Sequence, residues 1–347
     1  MEKNIEDLTI VIYGIGGIGA TLGGWLSQNY NNVYLLARGD NAKALKSNGL
    51  ILKNVVTDNI ETIKVKVIEN LNELAKVDIL VVTVKNYDLQ EVARDISEKL
   101  GDTPIVVGLQ NGFENQRIFP KYFTKNVYAV VVQSGWREEP GIFGTRGTGH
   151  LTLGTPDNKN PEITEKVAKI LNLGIPTRVT ENFQDAAHSK LIINLSNATF
   201  TLISSELKDD EAIFKLWNIF LNVYLEGVKV VKAAGYKENR LKGLPSWEVM
   251  EAGKNLDKIT AINNFRRNLR YSWFNSMAQD MIHRKKGQSE LESLTGYLIN
   301  LANSLKIEIP YNKMIYKLSR EQFEKVPYRP LTVETVWENI NEYLNRK

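Results

Sequence analysis

The segment with the clearest chemical potential lies in the second half of the chain, where Lys190, Asn194 and Asn197 recur at helical spacing. On an α-helix this spacing places the three polar side chains on one face. The residues around them are mostly apolar, and a lysine and two amides on a largely buried helix need polar partners. The stripe predicts a substrate-facing surface on which Lys190 donates a proton to an oxygen and the amides hold a polar ligand. A satisfied polar seam between packed helices is the alternative.

A glycine-rich motif near the N-terminus could bind phosphate groups. It follows an apolar strand and opens an amphipathic helix. A strand, turn and helix in this order direct backbone N–H groups and a helix dipole at a pyrophosphate. The motif therefore predicts a Rossmann unit that binds a dinucleotide through Gly14, Ile15, Gly16, Gly17, Ile18 and Gly19. A purely structural turn is the alternative.

The residue that ends the second predicted strand indicates which dinucleotide is bound. In a Rossmann unit an acidic residue there accepts a hydrogen bond from the ribose of NAD, whereas an arginine favours the 2′-phosphate of NADP. Arg38 ends this strand, and no acidic residue follows before Asp40. Because a guanidinium fork suits a dianionic phosphate, we expect NADP. Arg38 could instead be a solvated residue at the end of the strand. Two other ligands of a glycine-rich turn are FAD, for which the helical half shows no evident isoalloxazine-binding region, and S-adenosylmethionine.

In the N-terminal half of the chain, two further polar residues follow predicted buried strands. Lys85 comes after the apolar run Val77–Val84, and Asn111 comes after Pro104–Leu109. Ligands of open α/β sheets bind outside the carboxyl ends of the strands, so both side chains are predicted at the cofactor crevice. Each also has an ordinary interpretation, as a turn residue or a solvated helix-entry residue.

Polar residues in a helical, mostly apolar setting, like those around Lys190, recur further along the chain. Ser276 lies in a predicted helix beside Trp273 and Phe274, and Glu290 opens the next helical stretch. An ordinary helical serine and a first-turn charge that favours the helix dipole would explain them equally well.

Apolar runs predict a mostly parallel sheet in the first half, with helices between the strands. Val77–Val84 is a continuous apolar run, as expected of a strand buried on both faces. Gly49–Val55 and Glu61–Ile68 alternate as an antiparallel hairpin does, and the glycines from Gly141 to Gly149 resemble a second hairpin. The remaining predicted strands are Leu8–Tyr13, Asn32–Ala37, Pro104–Leu109 and Asn126–Val132, and the first helices are about Ile18–Asn29 and Asp88–Leu100.

Beyond about residue 180 the pattern becomes helical throughout. The predicted helices are Gln184–Ser204, Asp209–Ala234, Asn255–Met281, Glu290–Leu305 and Val333–Asn345. We therefore predict an α/β Rossmann domain over residues 1–180 that binds NADP. An all-α domain over residues 181–347 is predicted to serve substrate binding and dimerisation.

Composition excludes several classes of function. The 347 residues contain no cysteine and three scattered histidines without ligand spacing, so no metal site is predicted. A net charge of +4 without a dense basic block does not indicate nucleic-acid binding. No apolar run reaches the roughly 18 residues that span a bilayer, and the glycine-containing apolar segment near the N-terminus is interpreted as a strand rather than a signal peptide. We expect a cytoplasmic protein without membrane contact. A homodimer is compatible with the sequence, which does not define the oligomeric state.

These motifs together resemble the ketopantoate reductase (2-dehydropantoate 2-reductase) family, in the right order from about Thr9 to Pro310. The matching segments are Gly14–Gly19, Leu36–Gly39, Val82–Lys85, Gly108–Gly112, Lys190 with Asn194, Ser276–Asp280 and Ser289-Glu290. The resemblance implies a C-terminal domain of the 6-phosphogluconate dehydrogenase type and an active site in the cleft between the domains. It implies that Lys190 is the general acid and that Asn194 and Ser276 bind the substrate. Asn111 would lie between cofactor and substrate, and Glu290 would bind the cofactor or order the site.

Two departures from the family pattern concern the substrate side. Ala198 occupies the position of the family's second asparagine, with Asn197 one residue earlier, and the stretch Ile282–Gln288 is about two residues longer than usual. One residue turns a helical side chain by about 100°. The sequence predicts NADPH-dependent reduction of a small 2-oxo acid, with ketopantoate to pantoate as the best single assignment. A related carbonyl or opine-like imine reductase and a non-catalytic NADP(H) sensor are the alternatives.

Overall fold

The computed structural model describes residues 7–283 and 289–346. Its internal contacts divide the chain into two units, unit 1 over Met1–Gln184 and unit 2 over Asp185–Lys347. The boundary drawn from the sequence, at residue 180, falls shortly before this one. Unit 1 carries the strands β1 (Ile10–Tyr13), β2 (Val33–Leu36), β3 (Leu50–Asn54), β4 (Asn59–Ile63), β5 (Lys66–Ile68), β6 (Ile79–Val82), β7 (Ile105–Gly108), β8 (Asn126–Val132), β9 (Gly135–Glu139), β10 (Ile142–Thr145), β11 (His150–Gly154) and β12 (Thr177–Val179).

Eight of these strands form the main sheet, in the order β12-β11-β8-β7-β6-β1-β2-β5. Its neighbours pair in parallel except β8 and β11, which are antiparallel. The central strands β1 and β6 are buried along their whole length, which explains their continuous apolar sequences. A mostly parallel sheet with antiparallel additions was predicted, and it is confirmed.

A second sheet has the order β4-β3-β10-β9. Its antiparallel pair β3–β4 confirms the first predicted hairpin, whereas the second hairpin, β9–β10, spans residues 135–145 rather than the predicted Gly141–Gly149. The prediction of one strand over Glu61–Ile68 was wrong, because the chain leaves the extended ladder at Lys64 and Val65. The part before this break pairs with β3, whereas β5 joins the main sheet parallel to β2. Alternation alone did not reveal that one apolar-polar run serves two sheets.

Helices alternate with strands in unit 1 and make up most of unit 2. Those of unit 1 are α1 (Gly17–Asn29), α2 (Gly39–Asn48), α3 (Leu89–Leu100), α4 (Glu114–Ile118) and α5 (Pro161–Leu171). The chain continues with α6 (Phe183–Leu202), α7 (Asp210–Ala233), α8 (Trp247–Ala252), α9 (Lys258–Ser272), α10 (Ser276–Ala278), α11 (Tyr297–Ser304), α12 (Pro310–Phe323) and α13 (Val333–Asn345). No helix within the described ranges is both long enough and apolar enough to cross a membrane.

The helical half differs from its prediction in two respects. The helix predicted over Asn255–Met281 is interrupted, because the side chain of Asn275 accepts hydrogen bonds from the backbone N–H groups of Met277 and Ala278 and starts a new helix. A π-helical turn, Gln279–His283, follows directly, and a second one, Glu292–Gly296, precedes α11. Helices α8 and α12 were not predicted.

Helix α7 is the centre of unit 2 and contacts α8, α9, α11, α12 and α13. Helix α6 approaches it closely at Gly227, where an added Cβ would lie 2.7 Å from the Leu195 Cδ1 atom. This approach buries the apolar residues Ile192 and Leu195 of α6. The opposite, polar residues of α6 are thereby held in a fixed orientation.

Glu226 of α7 replaces the missing cap of α12. Its carboxylate accepts hydrogen bonds from the backbone N–H groups of Tyr311 (3.0 Å) and Asn312 (2.9 Å) and from the Asn312 side chain (2.9 Å). These are otherwise unsatisfied donors of the first turn, since Ile309 at the N-cap provides no side-chain acceptor. Burial raises the pKa of Glu226 to about 7.

We expect Glu226→Gln to lower the free energy of unfolding by about 1–3 kcal/mol, because an amide loses one acceptor oxygen and leaves a helix N–H group unsatisfied. Chemical denaturation at a pH above the Glu226 pKa measures the effect. Glu321→Gln, on the exposed face of α12, is the matched control and should change stability little. Equal shifts in the two variants would contradict the capping role.

Candidate active site

The glycine motif forms a tight turn between β1 and α1. Gly14 has φ +100°, a conformation that side chains disfavour, and a Cβ there would lie 2.7 Å from the Val84 Cγ1 atom. A Cβ on Gly19 would lie 2.2 Å from the Gly14 carbonyl oxygen, so the helix can approach the turn only without a side chain at this position. Both glycines are therefore required by the turn itself.

The space in front of the helix is open at Gly16. This residue is the N-cap of α1, and no atom lies within 4 Å of the position that its Cβ would occupy. Ile15 is buried and Ile18 packs against the apolar core, so a ligand here meets the backbone. The first N–H groups of an α-helix have no partner within the helix, and at the start of this 13-residue helix they fit a pyrophosphate.

Thr83 fixes the turn to the neighbouring strand. Its backbone N–H donates to the Tyr13 carbonyl at 2.9 Å, and its hydroxyl donates to the Gly14 carbonyl. The ends of β1 and β6 are thus joined by side-chain as well as backbone hydrogen bonds. A rigid connection of this kind keeps the glycine turn in one conformation.

Lys85 and Asn111 lie at the adjacent ends of β6 and β7, as predicted, and both are half-buried. The Gln110 side chain donates to the carbonyls of Val82 (2.9 Å) and Val84 (3.1 Å), which ties the two strand ends together. The Asn86 side chain donates to the Asn111 carbonyl at 2.7 Å. The two predicted residues are therefore held at the same edge of the sheet as the glycine turn.

Arg38 follows β2 at that edge and is the N-cap of α2. Its side chain is 63% exposed, and its Nη2 donates to the Tyr13 hydroxyl at 3.1 Å. The arginine is therefore anchored on one side and open to solvent on the other. Such a guanidinium, beside a helix N-terminus, can receive a phosphate group.

The predicted stripe of unit 2 lies on α6. Lys190 and Asn197 are half-buried and Asn194 is 6% exposed. Burial lowers the pKa of the Lys190 ammonium to about 8. Among the described residues, none forms an ion pair or hydrogen bond with this ammonium. A buried lysine without a charge partner can give up its proton near neutral pH.

Thr201 extends the stripe by one further turn. Its hydroxyl lies 3.2 Å from the Asn275 side-chain oxygen and 2.7 Å from the Asn197 carbonyl. Asn275 in turn starts the short helix α10 with Ser276, whose buried hydroxyl has no hydrogen-bond partner in the described part of the chain. The structure therefore brings Ser276 towards the end of α6 that carries Asn197. The unsatisfied hydroxyl has capacity for a polar ligand.

The helical positions of Asn197 and Ala198 bear on the first departure from the family pattern. Seven residues span nearly two helical turns, so Asn197 shares the face of Lys190, whereas Ala198 is fully buried. Asn197 is therefore the residue of this pair that can face a ligand.

Glu290 is 3% exposed, and its backbone carbonyl accepts from Leu294 N–H and from the Ser293 hydroxyl. It precedes the π-helical turn Glu292–Gly296, and π-turns often occur at functional sites. The second departure concerns the length between Gln279 and Ser289. Most of that segment, residues 284–288, lies outside the described residues.

Sequence reasoning did not assign site roles to Thr83, Gln110, Thr201 and Asn275. Thr201 could have been found, because it continues the spacing of Lys190, Asn194 and Asn197 on α6. Asn275 could have been recognised as an N-cap before Ser276. The roles of Thr83 and Gln110 depend on contacts between strands that are distant in sequence.

Two family descriptions match most of the chain. "Ketopantoate reductase PanE/ApbA" matches residues 10–158, and "Ketopantoate reductase PanE/ApbA C terminal" matches residues 182–323. The chain belongs to the ketopantoate reductase family. Its members are NADP-dependent oxidoreductases that act on a CH–OH group. As a member of the family, this protein has the same class of activity and the same cofactor.

Relatives of this family member cover nearly the whole chain. The 2-dehydropantoate 2-reductase of Pyrococcus horikoshii is 26% identical over 316 residues, which are 90% of this chain and 96% of that protein. The structure of 2-dehydropantoate 2-reductase from Geobacter metallireducens GS-15 is similar with a TM-score of 0.71 at 20% identity, over 90% of this chain and 99% of that one. A ternary structure of D-mandelate dehydrogenase with NADH and anilino(oxo)acetate has a TM-score of 0.69 at 18% identity, over 96% and 100% of the two chains. The structural similarities establish the fold.

Proposed function

We propose that this protein reduces a small 2-oxo acid with NADPH, and that the substrate is 2-dehydropantoate (ketopantoate), which becomes pantoate. The observation that carries the proposal is Lys190, a half-buried residue whose ammonium has no charge partner among the described residues, on one helical face with Asn194 and Asn197. The family match and the similar 2-dehydropantoate 2-reductases support the choice of substrate.

NADPH supplies the hydride that reduces the carbonyl carbon. As the carbonyl oxygen gains negative charge, the Lys190 ammonium stabilises it and transfers a proton to it, so that the product is an alcohol. Asn194, Asn197 and Ser276 bind and orient the 2-oxo acid through their amide and hydroxyl groups. Lys190 then regains its proton from solvent, because its lowered pKa lies near the ambient pH.

The residues of unit 1 are proposed to hold the cofactor. The backbone N–H groups of the Gly14–Gly19 turn bind the pyrophosphate, and Arg38 binds the 2′-phosphate. Lys85 and Asn111 lie at the same sheet edge and are assigned to the cofactor side, with Asn111 also contacting substrate. Glu290 is proposed to bind the cofactor or to order the site, as the family resemblance implies.

The pH dependence tests the role of Lys190. The reduction needs the protonated amine, and the Lys190 pKa is about 8. We expect kcat/KM for ketopantoate reduction to fall as the pH rises through about 8, and the reverse oxidation of pantoate to increase over the same range. A reduction rate that stays constant up to the ordinary lysine range would contradict this assignment.

Arg38→Ala tests the choice of cofactor. Because the variant loses a charge-assisted contact to the 2′-phosphate, we expect NADPH affinity to fall by about 10- to 100-fold while NADH affinity changes little. Arg178→Ala, at the opposite edge of the main sheet, is the matched control. Unchanged NADPH binding by Arg38→Ala would show that another residue holds the phosphate.

A reductase of a different 2-oxo acid is the second candidate, favoured by the buried Ala198 at the place of a polar family residue. A panel of 2-oxo acids, followed by NADPH oxidation, separates the two candidates. Turnover of ketopantoate above the other acids supports the first, and turnover of another acid alone supports the second. NADPH binding without any turnover would favour a non-catalytic sensor.

A further inference from the structure

A polar cluster beside the glycine turn joins Arg38 to two residues, Tyr13 and Asp95, that have no role in the function proposed above. Tyr13, the last residue of β1, donates a hydrogen bond from its hydroxyl to the Asp95 carboxylate of α3 at 2.9 Å. The same hydroxyl accepts the hydrogen bond from Arg38 at 3.1 Å. The direct distance between Arg38 Nη2 and Asp95 Oδ2 is 3.9 Å, which is too long for a hydrogen bond. The tyrosine hydroxyl therefore connects the arginine to the carboxylate.

Burial and hydrogen bonds shift the pKa values of Tyr13 and Asp95 in opposite directions. Tyr13 is 4% exposed, and burial, together with the hydrogen bond to Asp95, raises its pKa to about 12. Burial of Asp95 opposes its ionisation, but hydrogen bonds from Lys99 and Tyr13 outweigh it and lower the pKa of the carboxyl. The Lys99 Nζ atom lies 2.7 Å from the Asp95 Oδ1 atom and forms an ion pair with it. At neutral pH the cluster thus contains a neutral phenol between a guanidinium and a carboxylate.

We propose that Tyr13 is a positioning residue that sets the preference for a 2′-phosphorylated dinucleotide, by holding Arg38 at the sheet edge and keeping it out of a direct, hydrogen-bonded ion pair with Asp95. This inference rests on the proposed role of Arg38 in cofactor binding.

Asp95 and a bound phosphate compete for the single guanidinium of Arg38. Asp95 is three-quarters buried, and its carboxylate already lies 3.9 Å from the Arg38 guanidinium, so without an intervening hydroxyl the two would close into a direct, hydrogen-bonded ion pair. A guanidinium so engaged has fewer donors for a phosphate, and the binding of the phosphate must first break that pair. In the wild-type protein the Tyr13 hydroxyl donates a hydrogen bond to the Asp95 carboxylate. Arg38 therefore breaks no direct hydrogen bond to Asp95 when its exposed side binds a ligand.

The test uses two probes that differ by the 2′-phosphate, namely 2′,5′-ADP and 5′-AMP, with affinities measured by calorimetry on the full chain. Tyr13→Phe keeps the ring and removes the hydroxyl. We expect it to weaken 2′,5′-ADP binding by about 3- to 10-fold and to leave 5′-AMP binding unchanged. Adding Asp95→Asn to this variant removes the competing charge and should restore 2′,5′-ADP affinity. Tyr34→Phe, in the adjacent strand β2, is the matched control and should bind both probes as the wild type does.

The outcomes separate this inference from the proposed function. If the wild type prefers 2′,5′-ADP and Arg38→Ala loses that preference while Tyr13→Phe keeps it, the inference is overturned and the cofactor assignment stands. If the wild type has no preference, both are overturned. An equal loss of both probes in Tyr13→Phe, or a double variant without recovery, also overturns the inference, because the hydroxyl would then act on the turn rather than through Arg38.

Discussion

Lys190→Met is expected to abolish turnover and, at the same time, to make the fold more stable. Methionine keeps the unbranched shape of the side chain but has no proton to donate, so turnover should fall by about 10²- to 10⁴-fold. The burial that lowers the lysine pKa to about 8 also penalises the charged amine in the folded state. Removing that charge should raise the free energy of unfolding at neutral pH by about 1–3 kcal/mol.

The dependence of this stability gain on pH provides its own check. Between the folded pKa of about 8 and the ordinary value of 10.5, the unfolded chain binds more protons at this lysine than the folded chain does. Wild-type stability should therefore rise relative to Lys190→Met across this interval, and the advantage of the variant should vanish above it. Denaturation curves of both proteins at several pH values measure the difference. Lys317→Met, at an exposed position of α12, is the matched control, and a destabilised Lys190→Met would contradict the account.

Gly16→Ala and Gly19→Ala are expected to impair dinucleotide binding for different reasons. At Gly16 a methyl group meets no protein atom within 4 Å, so the fold should tolerate it, but it would fill the space proposed for the pyrophosphate. At Gly19 the methyl group would lie 2.2 Å from the Gly14 carbonyl oxygen and force the turn apart. We expect NADPH affinity to fall at least about 10-fold in both variants, and stability to fall by about 1–3 kcal/mol in Gly19→Ala alone.

Thermal unfolding and NADPH titration of the two variants separate the effects. A Gly16→Ala protein of wild-type stability that no longer binds NADPH supports the pyrophosphate site. Normal NADPH binding by Gly16→Ala would place the pyrophosphate elsewhere.

The sequence predicts the sheet edge well because its signals are local. The glycine turn, Arg38, Lys85 and Asn111 each follow an apolar strand, and parallel strands end at a common edge. The stripe on α6 is also local, since Lys190, Asn194 and Asn197 repeat within two turns of one helix. Patterns of this kind need no knowledge of the tertiary fold.

Other features could not be predicted, because they join distant parts of the chain. Tyr13 and Asp95 are 82 residues apart in sequence, and Thr201 and Asn275 are 74 apart. Helix α12 begins without a capping residue of its own, and its cap comes from Glu226 of α7. The break between β4 and β5 depends on which sheet each half can join. The homodimer, the cytoplasmic location and the absence of nucleic-acid partners stay predictions.

The most direct test of the account is a single-turnover experiment. Wild type and Lys190→Met are each loaded with NADPH, whose binding is verified by titration, and are then mixed with ketopantoate while NADPH absorbance is recorded. The account predicts that NADPH is oxidised and pantoate forms in the wild type, and that Lys190→Met holds NADPH but oxidises it about 10²- to 10⁴-fold more slowly. Equal rates in the two proteins, or no oxidation by the NADPH-loaded wild type, would contradict it.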